Sequence, residues 1–250
     1  MDYFIYSGGE VHLTGKARHQ ITITDYTMNG FMALCQQGEI MRRHGVSLSV
    51  IYPYLPYARQ DRIMGEYDPF SLQTFCDLLN SQKFASVTIF DPHSDVASAL
   101  INNCKTVPQW HIAQQAIPDS YFNDENAIFV SPDAGAYKKL SKLIADDERI
   151  AVGMKRRAAD GSIANVDIFT RAPLSGKTCI IVDDICDGGR TFITLSRKLK
   201  EQGAAKVLLY VTHGIFSQGV DVLKGYIDQI FTTNSFPNVT SDFMRVIDIV

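Results

Sequence analysis

Three carboxylates and two glycines stand within one short stretch, Asp183, Asp184, Asp187, Gly188 and Gly189, followed directly by Arg190 and Thr191. Carboxylates accept hydrogen bonds from hydroxyls. A glycine turn running into a helix brings backbone N–H groups close to an anion, and the helix N-terminus adds favourable charge. Carboxylates and phosphate repel each other unless something lies between them, and a polyhydroxylated sugar or Mg²⁺ fills that role. The expected ligand is therefore a phosphorylated sugar, its hydroxyls on the acids and its phosphate on the loop amides.

The elements around this stretch must place it. Cys179-Ile180-Ile181-Val182 is apolar on both faces, as in a parallel strand covered on both sides. A helix is expected over 193–202, stopped by Gly203. Other reactive side chains also follow strand-like runs. Residues 48–52 lead into Pro53-Tyr54-Leu55-Pro56-Tyr57-Ala58-Arg59-Gln60-Asp61-Arg62, a stiff loop whose arginines suit phosphate or a purine face. Residues 87–90 end in Asp91-Pro92-His93-Ser94-Asp95, where His93 can ligate a metal or contact phosphate. Residues 127–130 lead to Ser131-Pro132-Asp133-Ala134-Gly135-Ala136 and then a helix over 137–145. Residues 150–154 run into Lys155-Arg156-Arg157 and a small polar stretch, 158–162, which suits a lid carrying cations over polyphosphate. Ligands of open α/β sheets gather at such strand ends.

The rest of the chain fits the same pattern. Residues 1–13 read as a hairpin around Ser7-Gly8-Gly9-Glu10, 26–44 as a helix capped by Gly45, and 69–80 as a second helix. Further strands are expected over 21–24, 207–211, 229–232 and 244–250, with 105–118 as a crossover. Strands alternating with helices imply an α/β fold of parallel sheets flanked by helices. Two similar halves are expected, 1–110 and 111–250, with the final residues able to pack back on the first. A cleft between halves would hold two phosphorylated ligands. There is no GxxxxGK[ST] loop, paired GxGxxG or GxSxG elbow, which disfavours P-loop, nicotinamide and acyl-transfer chemistry.

With 250 residues, 46% hydrophobic and 20% charged, the chain has ample core. A net charge of −3 gives no drive toward nucleic acid or an anionic membrane. No signal-peptide pattern and no apolar run of about 18 residues stands in the sequence. The five cysteines have neither CxxC nor zinc spacing, which suits a reduced, cytoplasmic chain.

The stretch from Cys179 to Phe192 resembles the phosphoribosyl-diphosphate loop of type I phosphoribosyltransferases and of ribose-phosphate pyrophosphokinases. The segment from Tyr52 to Arg62 is very similar to the ATP-site segment of the pyrophosphokinases. Asp91-Pro92-His93, Ser131-Pro132-Asp133-Ala134-Gly135, Lys155-Arg156-Arg157, Thr212-His213-Gly214 and Thr233-Asn234-Ser235 follow in that family's order. The resemblance covers nearly the whole chain and implies two phosphoribosyltransferase-like domains, the first on the ATP side and the second on the acceptor side. It implies transfer of the β,γ-diphosphoryl group of ATP to the C1 hydroxyl of ribose 5-phosphate, with AMP released. By the same resemblance, Arg59, Gln60, Asp61 and His93 contact ATP, and the turn at Glu10 reaches a neighbouring subunit's ATP in a homo-oligomer, dimer or hexamer. His93 and Asp133 serve the Mg²⁺ of ATP. Asp183 and Asp184 bind ribose hydroxyls, directly or through a second Mg²⁺. Asp187 lines the acceptor site with them, Gly188, Gly189, Arg190 and Thr191 hold the 5-phosphate, and Lys155 and Arg157 close over the transferring group.

The chain departs from the family in two places. It is shorter between Leu13 and Leu48, so control by ADP and phosphate is not carried over. Arg190 also stands where the family has glycine. It either faces solvent or an acid, or it engages a larger 5-substituent such as a diphosphate. A compact phage-type branch resembling this family uses ADP-ribose, giving ADP-ribose pyrophosphate for NAD⁺ synthesis. A phosphoribosyltransferase would have no use for Arg59-Gln60-Asp61 and His93. An inactive regulatory homologue would tend to lose Lys155, Arg157, His93 or Asp133, and all four are present.

Overall fold

The computed structural model describes residues 1–16, 18–157, 163–237 and 240–250, and gives the backbone alone for 155–157 and 163–165. These residues form two compact units, Met1–Pro108 with Val250, and Gln109–Ile249.

In the first unit, β1 (Asp2–Ile5) and β2 (Val11–Thr14) form the expected hairpin. The unit continues through β3 (Gln20–Thr22), α1 (Met28–Arg43), β4 (Ser49–Tyr52), α2 (Ser71–Ser81), β5 (Ser86–Phe90), α3 (Asp95–Leu100) and β6 (Cys104–Val107). The sheet runs β3-β4-β5-β6 with every pair parallel. Thr27 starts α1 by accepting the Gly30 N–H at 3.2 Å. Gly45, at φ +69°, follows the helix in the left-handed conformation expected there. Phe31 and Leu34 of α1, Leu72, Phe75 and Leu79 of α2, and Val50 and Val87 of the sheet share one buried core.

The second unit contains α4 (Gln109–Ala116), α5 (Asp119–Phe122), β7 (Ala127–Ser131), α6 (Ala134–Leu143), β8 (Ile150–Arg157), β9 (Ile163–Thr170), β10 (Thr178–Cys186), α7 (Arg190–Glu201), β11 (Lys206–Gly214), β12 (Gln229–Thr233) and β13 (Met244–Ile247). Its sheet order is β13-β12-β11-β10-β7-β8-β9. Period-2 alternation puts the sheet's two apolar rows against two helical layers. Cys179, Ile181, Leu209 and Val211 meet Phe192, Leu195 and Leu199 of α7. Ile180, Val182, Leu208 and Tyr210 meet Leu140 of α6 and Ala113 of α4. This is why β10 and β11 read as continuous apolar runs rather than alternating ones.

Several expectations needed revision. The stretch expected to cross between halves, 105–118, holds most of β6 and all of α4. α6 begins at Ala134 rather than 137, because Asp133 caps it. The strand expected to stop at 154 continues to Arg157 and pairs antiparallel with β9, so one edge of the sheet is a hairpin, not a parallel strand. Lys155 lies opposite Val166 in that ladder. Lys155 and Arg157 thus belong to a hairpin arm, and the polar stretch expected to be a lid, 158–162, lies outside the described residues.

Candidate active site

Strand order locates the site of the second unit. From β7 the chain moves to β8 on one side, whereas from β10 it moves to β11 and beyond on the other. The order therefore reverses between β7 and β10. At such a switch point the helices leave in opposite directions and open a crevice outside the strands' carboxyl ends. The residues at those two ends are Asp133 after β7, and Asp183, Asp184 and Asp187 at and after the end of β10.

The turn after β10 is built on Gly189. Its φ is +75°, and an added Cβ would stand 3.0 Å from Leu223 Cδ2. Both the backbone and the space demand glycine here. Gly188 is less constrained, with only Gln218 Cγ near, at 3.7 Å from an added Cβ. α7 starts directly on this turn, and its first backbone N–H groups have no partner within the helix. Arg190, the first residue of the helix, is exposed, and its side chain makes no ion pair among the described residues. Thr191 is half-buried beside it.

The two adjacent acids belong to different faces. Asp184 extends the row of Ile180 and Val182 toward α6, where its Oδ2 stands 3.3 Å from Lys139 Nζ. It is only 7% exposed. Asp183 extends the row of Cys179 and Ile181 toward α7, and its Oδ1 accepts the Asp184 N–H at 3.0 Å. Burial pushes the Cys186 thiol up to about 12, and the charges of Asp183 and Asp187 add to the rise. Both acids therefore stand near the Cys186 sulfur. The Gly189 N–H opposes the rise by donating to the same sulfur.

Asp133 caps α6, with Oδ1 accepting the Ala136 N–H at 3.0 Å, while Ser131 Oγ donates to the Asp133 carbonyl at 2.5 Å. Beyond β11 and β12 the segments Thr212-His213-Gly214 and Thr233-Asn234-Ser235 are tied together. His213 Nδ1 pairs with Ser235 Oγ at 2.9 Å, and Ser235 Oγ and Thr233 Oγ1 donate to the Thr212 carbonyl at 2.9 and 2.7 Å. Phe216, in a left-handed backbone at φ +47°, lays its ring on Gly214, where any side chain would collide with it at 2.3 Å.

In the first unit, the loop after β4 and the loop after β5 meet at Asp61. Arg62 Nε and Nη2 grip the Asp61 carboxylate at 2.8 and 3.2 Å. This grip holds the Asp61 carboxyl below the usual carboxylate range; burial opposes it, and the Ser94 hydroxyl and the His93 charge assist. Ser94 and His93 of the second loop thus stand near Asp61 of the first. Arg59 and Gln60 are exposed beside it. Gln60 is fixed through its backbone, which accepts the Leu72 N–H at 3.2 Å. Tyr57 and Asp91, in the same two loops, are held at φ +62° and +37°. Non-glycine residues occupy that region only where their surroundings enforce it, often at functional sites.

Glu10 sits at the exposed end of the hairpin, its carboxylate folded over Gly8, where an added Cβ would lie 2.5 Å from Oε2. Gln36 of α1 holds this hairpin by its backbone. Leu13 N–H donates to Gln36 Oε1, and Gln36 Nε2 donates to the Val11 carbonyl, both at 2.7 Å. Gln36, Ser94 and Lys139 were not among the residues expected from sequence. A glutamine or a lysine within a helix carries no local signal, because only the packing of that helix decides what it reaches.

Among the described residues no three His, Cys, Asp or Glu side chains gather as a metal cage. The acids stand singly or in pairs, which fits Mg²⁺, a cation bound through one or two carboxylates with substrate phosphates and water completing its shell. No helix of the described residues is long and apolar enough to cross a membrane.

Comparison with known proteins follows the same lines. Residues 167–250 match the family model for the phosphoribosyl synthetase-associated domain. The chain is 28% identical over 249 residues to the ribose-phosphate pyrophosphokinase of Mycoplasmopsis pulmonis, covering 94% of this chain and 76% of that one. It is 29% identical over 212 residues to the enzyme of the same name from Mycoplasma pneumoniae, covering 81% of this chain and 63% of that one. In fold it resembles the phosphoribosylpyrophosphate synthetase from Mycobacterium smegmatis, with a TM-score of 0.82, 22% identity, and coverage of 99% of this chain and 85% of the other. With its two largely parallel sheets, its acid–glycine–helix turn at the switch point of the second, and this likeness along nearly its whole length, the chain is similar to the ribose-phosphate pyrophosphokinases and has a type I phosphoribosyltransferase-like fold.

Proposed function

We propose that the protein transfers the β,γ-diphosphoryl group of ATP to the C1 hydroxyl of ribose 5-phosphate, giving phosphoribosyl diphosphate and AMP. The observation that carries this reading is the turn after β10, where carboxylates and a helix N-terminus lie side by side. A ligand with hydroxyls on one end and phosphate on the other satisfies both. Asp183, Asp184 and Asp187 take the ribose hydroxyls. The backbone of Gly188, Gly189, Arg190 and Thr191 holds the 5-phosphate. Arg59, Gln60, Asp61 and His93 bind ATP, and Glu10 completes an ATP site in a neighbouring copy of a cytoplasmic homo-oligomer.

Displacement at the β-phosphorus leaves little covalent work for the protein, so catalysis is positioning and charge neutralisation. His93 and Asp133 would serve the Mg²⁺ of ATP, which would supply positive charge to the phosphoryl oxygens. Lys155 and Arg157, on the β8–β9 arm, add cations to the group in transfer. Asp183, oriented by its bond to the Asp184 N–H, holds a hydroxyl of the sugar so that its C1 oxygen is aimed at ATP.

A second acceptor is favoured by one observation. Arg190 is exposed at the first position of α7 and makes no ion pair among the described residues. It suits the second phosphate of a 5-diphosphate, as in ADP-ribose. The deciding experiment incubates the protein with ATP, Mg²⁺ and either ribose 5-phosphate or ADP-ribose and follows AMP. Release with ribose 5-phosphate supports the first reading, and release with ADP-ribose alone supports the second. Release with neither overturns both.

A further inference from the structure

We infer that Lys139 is a positioning residue for the acceptor sugar, acting through Asp184. The inference rests on the reading of Asp183, Asp184 and Asp187 as acceptor-binding acids. Three acids this close to a phosphate site would repel the ligand they are meant to hold. Asp183 and Asp187 are partly open to solvent, which screens them. Asp184 is 7% exposed, and burying a carboxylate without a counter-charge is costly. The structure answers this with Lys139.

α6 carries three lysines, and they are placed differently. Lys138 and Lys142 differ from Lys139 in direction: Lys138 is exposed, whereas Lys139 is turned toward the sheet with its side chain 26% exposed. Its ammonium stands 3.3 Å from Asp184 Oδ2. The geometry follows from the fold. β7 lies beside β10, and α6 returns from the end of β7 over the layer that Ile180 and Val182 face. Asp133 fixes the start of α6, so Lys139 comes to Asp184 one and a half turns later. A carboxylate has room for more than one donor, so the lysine can hold Asp184 charged and aimed while the acid accepts a hydroxyl. The lysine also removes one negative charge from the field that the 5-phosphate enters.

The test uses the full chain with Lys139→Met and Lys139→Arg. Ribose 5-phosphate binding is measured by calorimetry without turnover, and AMP release is measured alongside. Lys139→Met is expected to weaken sugar-phosphate binding about tenfold, the scale of one charge-assisted hydrogen bond. KM for ATP should stay within about twofold on the same scale. Lys139→Arg, which keeps the charge, is expected to restore most of the loss. Unchanged sugar-phosphate binding in Lys139→Met overturns the inference, and so does an equal loss for ATP or a failure of arginine to rescue. If the wild type binds ribose 5-phosphate but releases no AMP, the proposed reaction fails while the lysine is still tested by binding. If the wild type binds no sugar phosphate, both fail.

Discussion

Asp183 and Asp184 are neighbours in the chain and face opposite layers of the sheet. Asp184 lies with Lys139 on the α6 side, and Asp183 extends the row of Cys179 and Ile181 on the α7 side. The β-strand period of two imposes this separation. It sets the two acids on opposite sides of the strand rather than in a single acidic patch, and it gives them different expected mutant behaviour.

Asp183→Asn is expected to lower kcat/KM for the acceptor by about 10–100-fold, the range for losing a charged hydrogen-bond acceptor, with little change in stability. Asp184→Asn is expected to do similar kinetic damage and also to lower stability, because it leaves the Lys139 ammonium without the carboxylate it faces. Paired kinetics and denaturant titrations separate the two. Identical stability losses would contradict the two-sided arrangement.

Gly189→Ala is expected to destabilise the fold by about 1–2 kcal/mol through its left-handed backbone alone, with the Leu223 contact adding to it. Gly188→Ala meets nothing closer than 3.7 Å and should leave the unfolding midpoint nearly unchanged. Both should weaken binding of inorganic phosphate if the turn cradles it. Chemical denaturation and phosphate titration check the pair.

Asp61 makes a pH prediction. Its carboxyl is held low, chiefly by the hydrogen bond from Arg62. A group depressed in the folded state contributes stability that is complete above its unfolded value of about 4 and is lost as pH falls through the lower folded value. Arg62→Met should remove the depression, so acid unfolding followed by circular dichroism should begin at higher pH than in the wild type. An unmoved acid transition would show that the pair, whose arginine is largely exposed, contributes too little to matter.

Lys155→Ala is expected to lose about 10²–10³ in kcat, as for removal of a donor that stabilises developing charge. The thermal midpoint and ATP binding should stay close to wild type. Near-normal turnover in that variant would remove the β8–β9 arm from the mechanism.

Much of the fold was legible because burial leaves a pattern. The apolar runs of β7, β10 and β11 are sheet interiors covered on both faces, and Gly45 and the Gly188-Gly189 turn are local chemistry at element ends. The strands β6 and β9 were not legible. Cys104–Val107 is largely exposed and only four residues long, and β9 depends on a partner, β8, that no local rule selects.

At the candidate site, sequence by itself determined the identities and order of the reactive residues, because strand ends, glycine turns and acids are encoded locally. It also determined that the chain turns tightly at Gly188 and Gly189 before a helix. Only the tertiary structure decided that the strand order reverses between β7 and β10, that β10 runs on through Asp183 and Asp184 and so turns them to different layers, and that Lys139 and Arg62 are the cations beside Asp184 and Asp61. The physical reason is that a side chain's partner across the fold is set by which elements pack together and at what register. Those choices depend on the burial of the whole core, not on the residues on either side.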